Sequence, residues 1–321
     1  MPPSKVGIIL TRSHVGIEAS DSDIVSMLDI LENIGRKIQP LELKEIFKNI
    51  PNEVTSDREK LTRFLLLVAI LDQQAKSPTA RSTAIGVLNI LGDDLFNNPK
   101  KSLFQLNKLY AIKDGYKVSS ARMPRFAFFV MRVGGFLIYE MMLNSNSLFD
   151  KLRESSSPIE AINFLHSNKL LESILRDKAA NMYISWIGHP DFGIDISDGK
   201  WDKSSFLMPV DGHVGKIFAR TGIVNEVIHE RLSGKTDRWN YVYAYQMRPN
   251  IQEIVSGHGN DTVMVDHGAF QLGFNCCPDN LEGMCCDKCS KLSCKVRESI
   301  IEPGRCVLGE FCKRNLTWRA Y

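Results

Sequence analysis

All eight cysteines of the chain, Cys276, Cys277, Cys285, Cys286, Cys289, Cys294, Cys306 and Cys312, fall in its last 46 residues, and the preceding 275 contain none. A disulfide framework belongs to short secreted chains, whereas this cluster follows a long stretch of mixed composition, so local metal ligation ranks above cross-linking. Closely spaced thiolates suit soft acceptors, either tetrahedral zinc or an iron-sulfur cluster. The set that stands out is Cys277, Cys286, Cys289 and Cys294, a C-x8-C-x2-C-x4-C run in which Cys276 and Cys285 are alternatives to their neighbours. Zinc ribbons use two close pairs separated by a long loop, and this run has one. The spacing therefore predicts a 4Fe-4S cluster, with structural zinc as runner-up and disulfides third. Cys306 and Cys312 are left as spares.

A length of 321 residues accommodates a cluster module beside a larger core. Apolar residues at 44% and charged residues at 24% are ordinary for a globular chain and exclude a long disordered tail. The formal net charge is only +3, so local basicity matters more than the total. Five basic residues, Lys113, Lys117, Arg122, Arg125 and Arg132, face Asp114 alone between Ala111 and Gly135, and eight basic residues oppose four acids from Cys285 onward. Both stretches suit phosphate, or a solvated face. The opening MPPSKVGIIL is too short in apolar residues for a secretory signal, and no apolar run is long enough to span a bilayer. A cytoplasmic, non-secreted protein without a membrane partner is expected. Phe126 to Met142 comes nearest to a span, but Arg132, Gly134, Gly135 and Glu140 interrupt it, which predicts a buried helix pair broken at the glycines.

Helical periodicity dominates, as in Ile24, Met27, Leu28, Leu31 and Ile34, whereas strict alternation is rare; the chain reads as all-α. Helix starts are signalled at Asp21, Ser56, Ser157-Pro158 and Asp211. Gly188 to Ser205 predicts a long loop of the kind that is functional or disordered, and Ser256 to Asp261 a break between two helices.

Three segments, read with the cysteine tail, resemble the helix-hairpin-helix DNA glycosylases related to endonuclease III. Met208-Pro209-Val210-Asp211-Gly212-His213-Val214 is similar to the Pro-Val-Asp-x-His stretch that carries the family's catalytic aspartate at a helix start. Lys178-Ala179-Ala180-Asn181 resembles the start of the helix holding the catalytic lysine of bifunctional members. Phe64 to Ala75 resembles the Leu-rich helix ending in Ser-Ala-Gln-Ala, which makes Gln74 the residue that fills the gap left by an extruded base. His267 to Gly273 runs into Cys277 as the family's helix runs into its first cluster ligand. The resemblance covers roughly Leu61 to Cys294.

It implies two helical lobes with the active site in the cleft between them: a six-helix-barrel lobe over 60–205, and a second lobe from 1–59 and 206–321 with the cysteines at 276–294. It also implies a monomer acting on double-stranded DNA that contains a damaged base, 8-oxoguanine or an oxidised pyrimidine foremost. Cleavage of a glycosidic bond builds positive charge on the sugar, which a carboxylate stabilises, here Asp211. A neutral lysine amine, here Lys178, attacks the anomeric carbon, and the Schiff base permits β-elimination of the 3′ phosphate. The base must first leave the stack. Arg176, Lys288 and Lys291 are the candidate phosphate contacts.

The chain also departs from this pattern. The family's Leu-Pro-Gly-x-Gly hairpin is replaced by Glu172-Ser173-Ile174-Leu175-Arg176-Asp177, without glycine, so backbone approach to phosphate requires a differently shaped turn. The long span from Lys178 to Asp211 is more like the archaeal 8-oxoguanine glycosylases, which lack the cluster. Two alternatives follow: a monofunctional N-glycosylase acting on another base, a nucleotide or RNA, and a non-catalytic iron-sulfur nucleic-acid-binding protein in which Asp211 is only a helix cap. His213 is read as supporting helix packing, and His189 and His258 as residues of glycine-rich turns that touch phosphate or nothing.

Overall fold

The computed structural model describes residues 6–10, 19–73, 77–112, 125–143, 146–223, 240–277, 307–312 and 317–320. In chain order the elements are β1 (Val6–Leu10), α1 (Asp21–Lys48), α2 (Asn52–Thr55), α3 (Arg58–Leu71), α4 (Ser77–Leu91), α5 (Asp94–Asn97), α6 (Pro99–Phe104), α7 (Arg125–Leu143), α8 (Leu148–Arg153), α9 (Pro158–Ser167), α10 (Lys169–Ile174), α11 (Asp177–Gly188), α12 (Gly212–Arg220), β2 (Asn240–Tyr243), α13 (Ala244–Gly257), α14 (Thr262–Asn275) and β3 (Thr317–Ala320). The described residues are mostly helical. They form two compact units, one of Met1–Leu41 with Lys203–Tyr321 and the other of Glu42–Asp202.

The helices bear out the all-α reading, which does not anticipate a small three-stranded sheet. β1 pairs antiparallel with β2, Gly7 opposite Tyr243, and with β3, Gly7 opposite Arg319, giving the order β2-β1-β3. The physical reason for the miss is length: Val6–Leu10 is a five-residue apolar run, too short for periodicity to separate strand from helix.

In the unit of Glu42–Asp202, α3 is the central element. Asp57 caps it by accepting from the N–H groups of Glu59 and Lys60 at 2.9 and 3.1 Å, so the cap lies one residue beyond the expected Ser56. Phe64 to Leu71 are all buried, as befits a helix apolar on every side. It packs against α4, α7, α8 and α11. Glu59, in its first turn, accepts from Leu148 N at 2.8 Å and Phe149 N at 2.7 Å, which fixes the start of α8.

The helix pair expected over Phe126–Met142 is a single helix, α7, unbroken at Gly134 and Gly135. A Cβ at Gly135 would lie 3.1 Å from Cδ1 of Ile174, so this glycine lets α10 approach and does not end the helix. The stretch 188–205 is ordered by burial: Phe192, Ile194, Ile196 and Trp201 are all under 5% exposed, and the Trp201 indole donates to Ser155 O at 3.1 Å. Asp195 tightens its turn by accepting from Ser197 Oγ at 3.0 Å and Gly199 N at 3.2 Å.

In the other unit, Met27, Leu28, Leu31, Ile34 and Ile38 of α1 recur at helical spacing and pack with Val214, Ile217 and Phe218 of α12, Met247, Ile251 and Val255 of α13, and Val265, Ala269 and Leu272 of α14. Leu308 joins this core from the tail.

Candidate functional site

The segment that leads to Asp211 is pinned at two levels. Met208 and Val210 are buried, and Gln252 of α13 accepts from Met208 N at 2.8 Å while donating to Phe206 O at 3.1 Å. Asp211 is then the N-cap of α12, with Oδ1 accepting from His213 N at 2.8 Å and Val214 N at 3.1 Å. The residue is partly exposed, so its carboxylate is within reach of solvent or a ligand.

α12 packs against α14 more closely than ordinary side chains allow. A Cβ on Gly273 would come 2.4 Å from His213 O. His213 stands edge-on to Phe270, with ring centroids 5.8 Å apart, and to Phe274 at 5.2 Å, so it serves the packing of the two helices. Phe274 is 52% exposed beside it.

The carboxyl end of α14 carries Cys276 and Cys277, whose N–H groups both donate to Leu272 O, at 3.0 and 2.8 Å. Two buried cations of α12 reach Cys277: Lys216 Nζ donates to its carbonyl oxygen at 2.6 Å, and Arg220 Nη1 to its sulfur at 2.6 Å. Reading the sequence missed both, because a lysine and an arginine four residues apart look like a solvated face. Of the four predicted ligands, Cys277 is placed here; Cys286, Cys289 and Cys294 lie outside the described residues, as do Gln74, Lys288 and Lys291. A sulfur donor is thus available at the end of α14 for the metal expected from the cysteine spacing. Cys276, Cys277 and Cys312 are not in disulfides.

Lys178 and Arg176 belong to the unit of Glu42–Asp202, Asp211 and Cys277 to the other. Arg176 is the N-cap of α11, Lys178 sits in the first turn of that helix, and both are exposed. α10 and α11 are joined by the two residues Leu175 and Arg176 alone, a tight hairpin of helices achieved without glycine.

Three side chains from elsewhere hold this turn. Ile174 O accepts from both Gln73 Nε2 and the buried Arg132 of α7, Leu175 O is 3.1 Å from His166 Nε2 of α9, and Arg176 N donates to Gln73 Oε1 at 3.1 Å. The turn's carbonyls and one of its N–H groups are thus saturated internally, where the glycine hairpin expected from the resemblance turns backbone N–H groups outward.

Among the described residues, no helix is long and apolar enough to cross a membrane. No protein-family model, curated protein or solved structure matches the chain.

Proposed function

We propose that this chain is a DNA N-glycosylase with AP-lyase activity, built on two helical lobes of the helix-hairpin-helix type and carrying a cysteine-ligated metal centre, a 4Fe-4S cluster ahead of zinc. The observation that carries the reading is Asp211: a partly exposed carboxylate fixed at the start of α12, at the far end of the same helix that reaches Cys277. The short α10–α11 hairpin, with Lys178 in the first turn of its second helix, supports it independently.

In this reaction the base departs with the electron pair of its glycosidic bond, and the carboxylate of Asp211 offsets the positive charge left on the sugar. The neutral amine of Lys178 forms a bond to C1′, the C1′–O4′ bond opens with the amine proton passing to O4′, and loss of a C2′ proton from the resulting iminium then expels the 3′ phosphate. The reading requires both side chains to meet one sugar. The substrate is duplex DNA bearing a damaged base, extruded from the stack before cleavage. A metal centre held by Cys277, Cys286, Cys289 and Cys294 would serve structure and not redox chemistry, with Lys288 and Lys291 as the proposed phosphate contacts.

Incubation of the whole chain with abasic and lesion-bearing duplexes in the presence of borohydride tests this directly. A covalent protein–DNA adduct that disappears in Lys178→Ala is the expected result. Released base with no adduct would leave a monofunctional enzyme, and neither base release nor adduct would end the glycosylase reading.

The glycine-free turn favours a second substrate class. With Arg176 N already bonded to Gln73, the hairpin offers less backbone to a duplex phosphate, which suits an N-glycosylase acting on a nucleotide or on RNA. Equal binding of duplex DNA and free nucleotide would select it. A non-catalytic iron-sulfur binder is left only if Asp211→Asn changes no rate.

A further inference from the structure

α14 carries a row of rings beside the start of α12. His267 and Phe270 lie 6.3 Å apart between centroids with their planes 29° apart, and Phe270 and Phe274 lie 5.7 Å apart and nearly parallel, at 6°. Spacings of three and four residues bring the three to one face of the helix. His213 of α12 meets both phenyl rings edge-on, at 88° to each. It fits there because Gly273 has no side chain: a Cβ on Gly273 would come 3.0 Å from His213 Cβ. Phe274 is thus held by Phe270 on one side and by His213, yet it is 52% exposed. A ring fixed by its neighbours and open to solvent can take a planar group without further ordering, which favours stacking.

The polar side chains on the adjacent line of α14 bond one another. Gln271 Nε2 is 3.1 Å from His267 Nε2, and Gln271 Oε1 accepts from Asn275 Nδ2 at 2.8 Å. What the row presents is therefore π-surface. Asp211 precedes His213 by two Cα steps of about 3.8 Å each, so its carboxylate and the open ring share one end of α12.

We propose that Phe274, backed by Phe270 and steadied by His213, is the shelf on which the departing base stacks while Asp211 faces its sugar. The inference rests on the glycosylase reading of Asp211 and adds the surface that receives the base. The ligand it names is a flat nucleobase, held by its face, since every base has a π-face whatever its edge carries.

The test follows single-turnover base excision by the full chain beside borohydride trapping on an abasic duplex, which has no base to stack. Phe274→Ala should slow excision of a damaged base about tenfold more than it slows trapping. Phe274→Leu, apolar but without a ring, should lose as much as alanine, and Phe274→Tyr should recover most of the rate. Where excision occurs without an adduct, affinity for the abasic duplex takes the place of trapping. Equal losses in the two assays, excision by Phe274→Ala within twofold of the parent, or full recovery by Phe274→Leu would overturn the shelf. A parent that releases no base and forms no adduct removes the glycosylase reading by itself. In that case, or if Phe274→Ala does not fold, ultraviolet crosslinking of the parent to single and double strands carrying 5-iodouracil decides. Crosslinks mapped by mass spectrometry to Phe270 or Phe274 support the shelf, and crosslinks confined to other residues, or none, refute it.

Discussion

Arg63 of α3 donates through Nη1 to Oε2 of Glu140 on α7 at 2.9 Å, and the Glu140 side chain has no exposure at all. Burial pushes its carboxyl up to about 7; the Arg63 charge opposes the rise and Glu59 adds to it. Tyr139 and Tyr183, packed in the same region, are raised by burial as well. Because the folded chain holds the Glu140 proton more tightly than the unfolded one, this group's contribution is complete below the ordinary carboxylate range and is lost as pH rises through about 7.

Glu140→Gln removes that titration while leaving Arg63 paired with Glu59. The Tm difference, variant minus parent, should therefore grow more positive between pH 5 and pH 8. The effect is at most on the order of 3 kcal/mol. A difference that stays constant over this range in calorimetry would show that the carboxyl does not titrate as described.

α1 and α14 cross at a reciprocal pair of glycines. A Cβ on Gly268 would fall 1.9 Å from Leu31 O, and one on Gly35 would fall 1.9 Å from Met264 O. Both obstacles are backbone atoms, so no rotamer change relieves them. Gly268→Ala and Gly35→Ala should each cost roughly 1–3 kcal/mol or more by forcing the helices apart. Gly257→Ala, whose Cβ would meet nothing within 4 Å, is the control and should be neutral or mildly stabilising. Denaturant midpoints for the three variants check this, and a Gly268→Ala midpoint equal to that of Gly257→Ala would contradict the close crossing.

The hairpin clamp predicts a local effect separate from global stability. Gln73→Ala removes one donor to Ile174 O and the acceptor of Arg176 N together. Arg132→Met removes the other donor to the same carbonyl. Each should cost roughly 1–3 kcal/mol, with the loss concentrated at the turn. Hydrogen exchange should accelerate first at residues 174–178 while the amides of α3 stay protected; uniform acceleration would mean that the clamp has no local role.

What the sequence disclosed divides by range. Asp211 and Ser157 were legible as helix caps because capping involves atoms two and three residues away. The Gln73 and Arg132 contacts with the turn join residues 101 and 42 positions apart, and no periodicity records such pairs. Gly135 misled for the same reason: its lack of a side chain answers Ile174 on another helix, not a local bend. Lys216 and Arg220 carried the charge pattern of a solvated surface, and only the packing of α12 on α14 makes them interior.

Asp211 has one duty as the cap of α12 and a second in the proposed reaction, and substitution can part them. Its Oδ1 caps α12, a duty that asparagine performs about as well, while alanine loses it at a cost of roughly 1 kcal/mol. Stabilising a cationic sugar needs the negative charge, which asparagine lacks and whose loss should slow base excision by about 10²-fold or more. Under the proposed reaction, Asp211→Asn keeps the parent's Tm within a degree or two and loses most of the base-excision rate. Asp211→Ala should lose both rate and stability. Single-turnover excision beside thermal melting of the two variants gives the answer: an unchanged rate in Asp211→Asn would reduce the residue to its cap, and with it the enzymatic reading of α12.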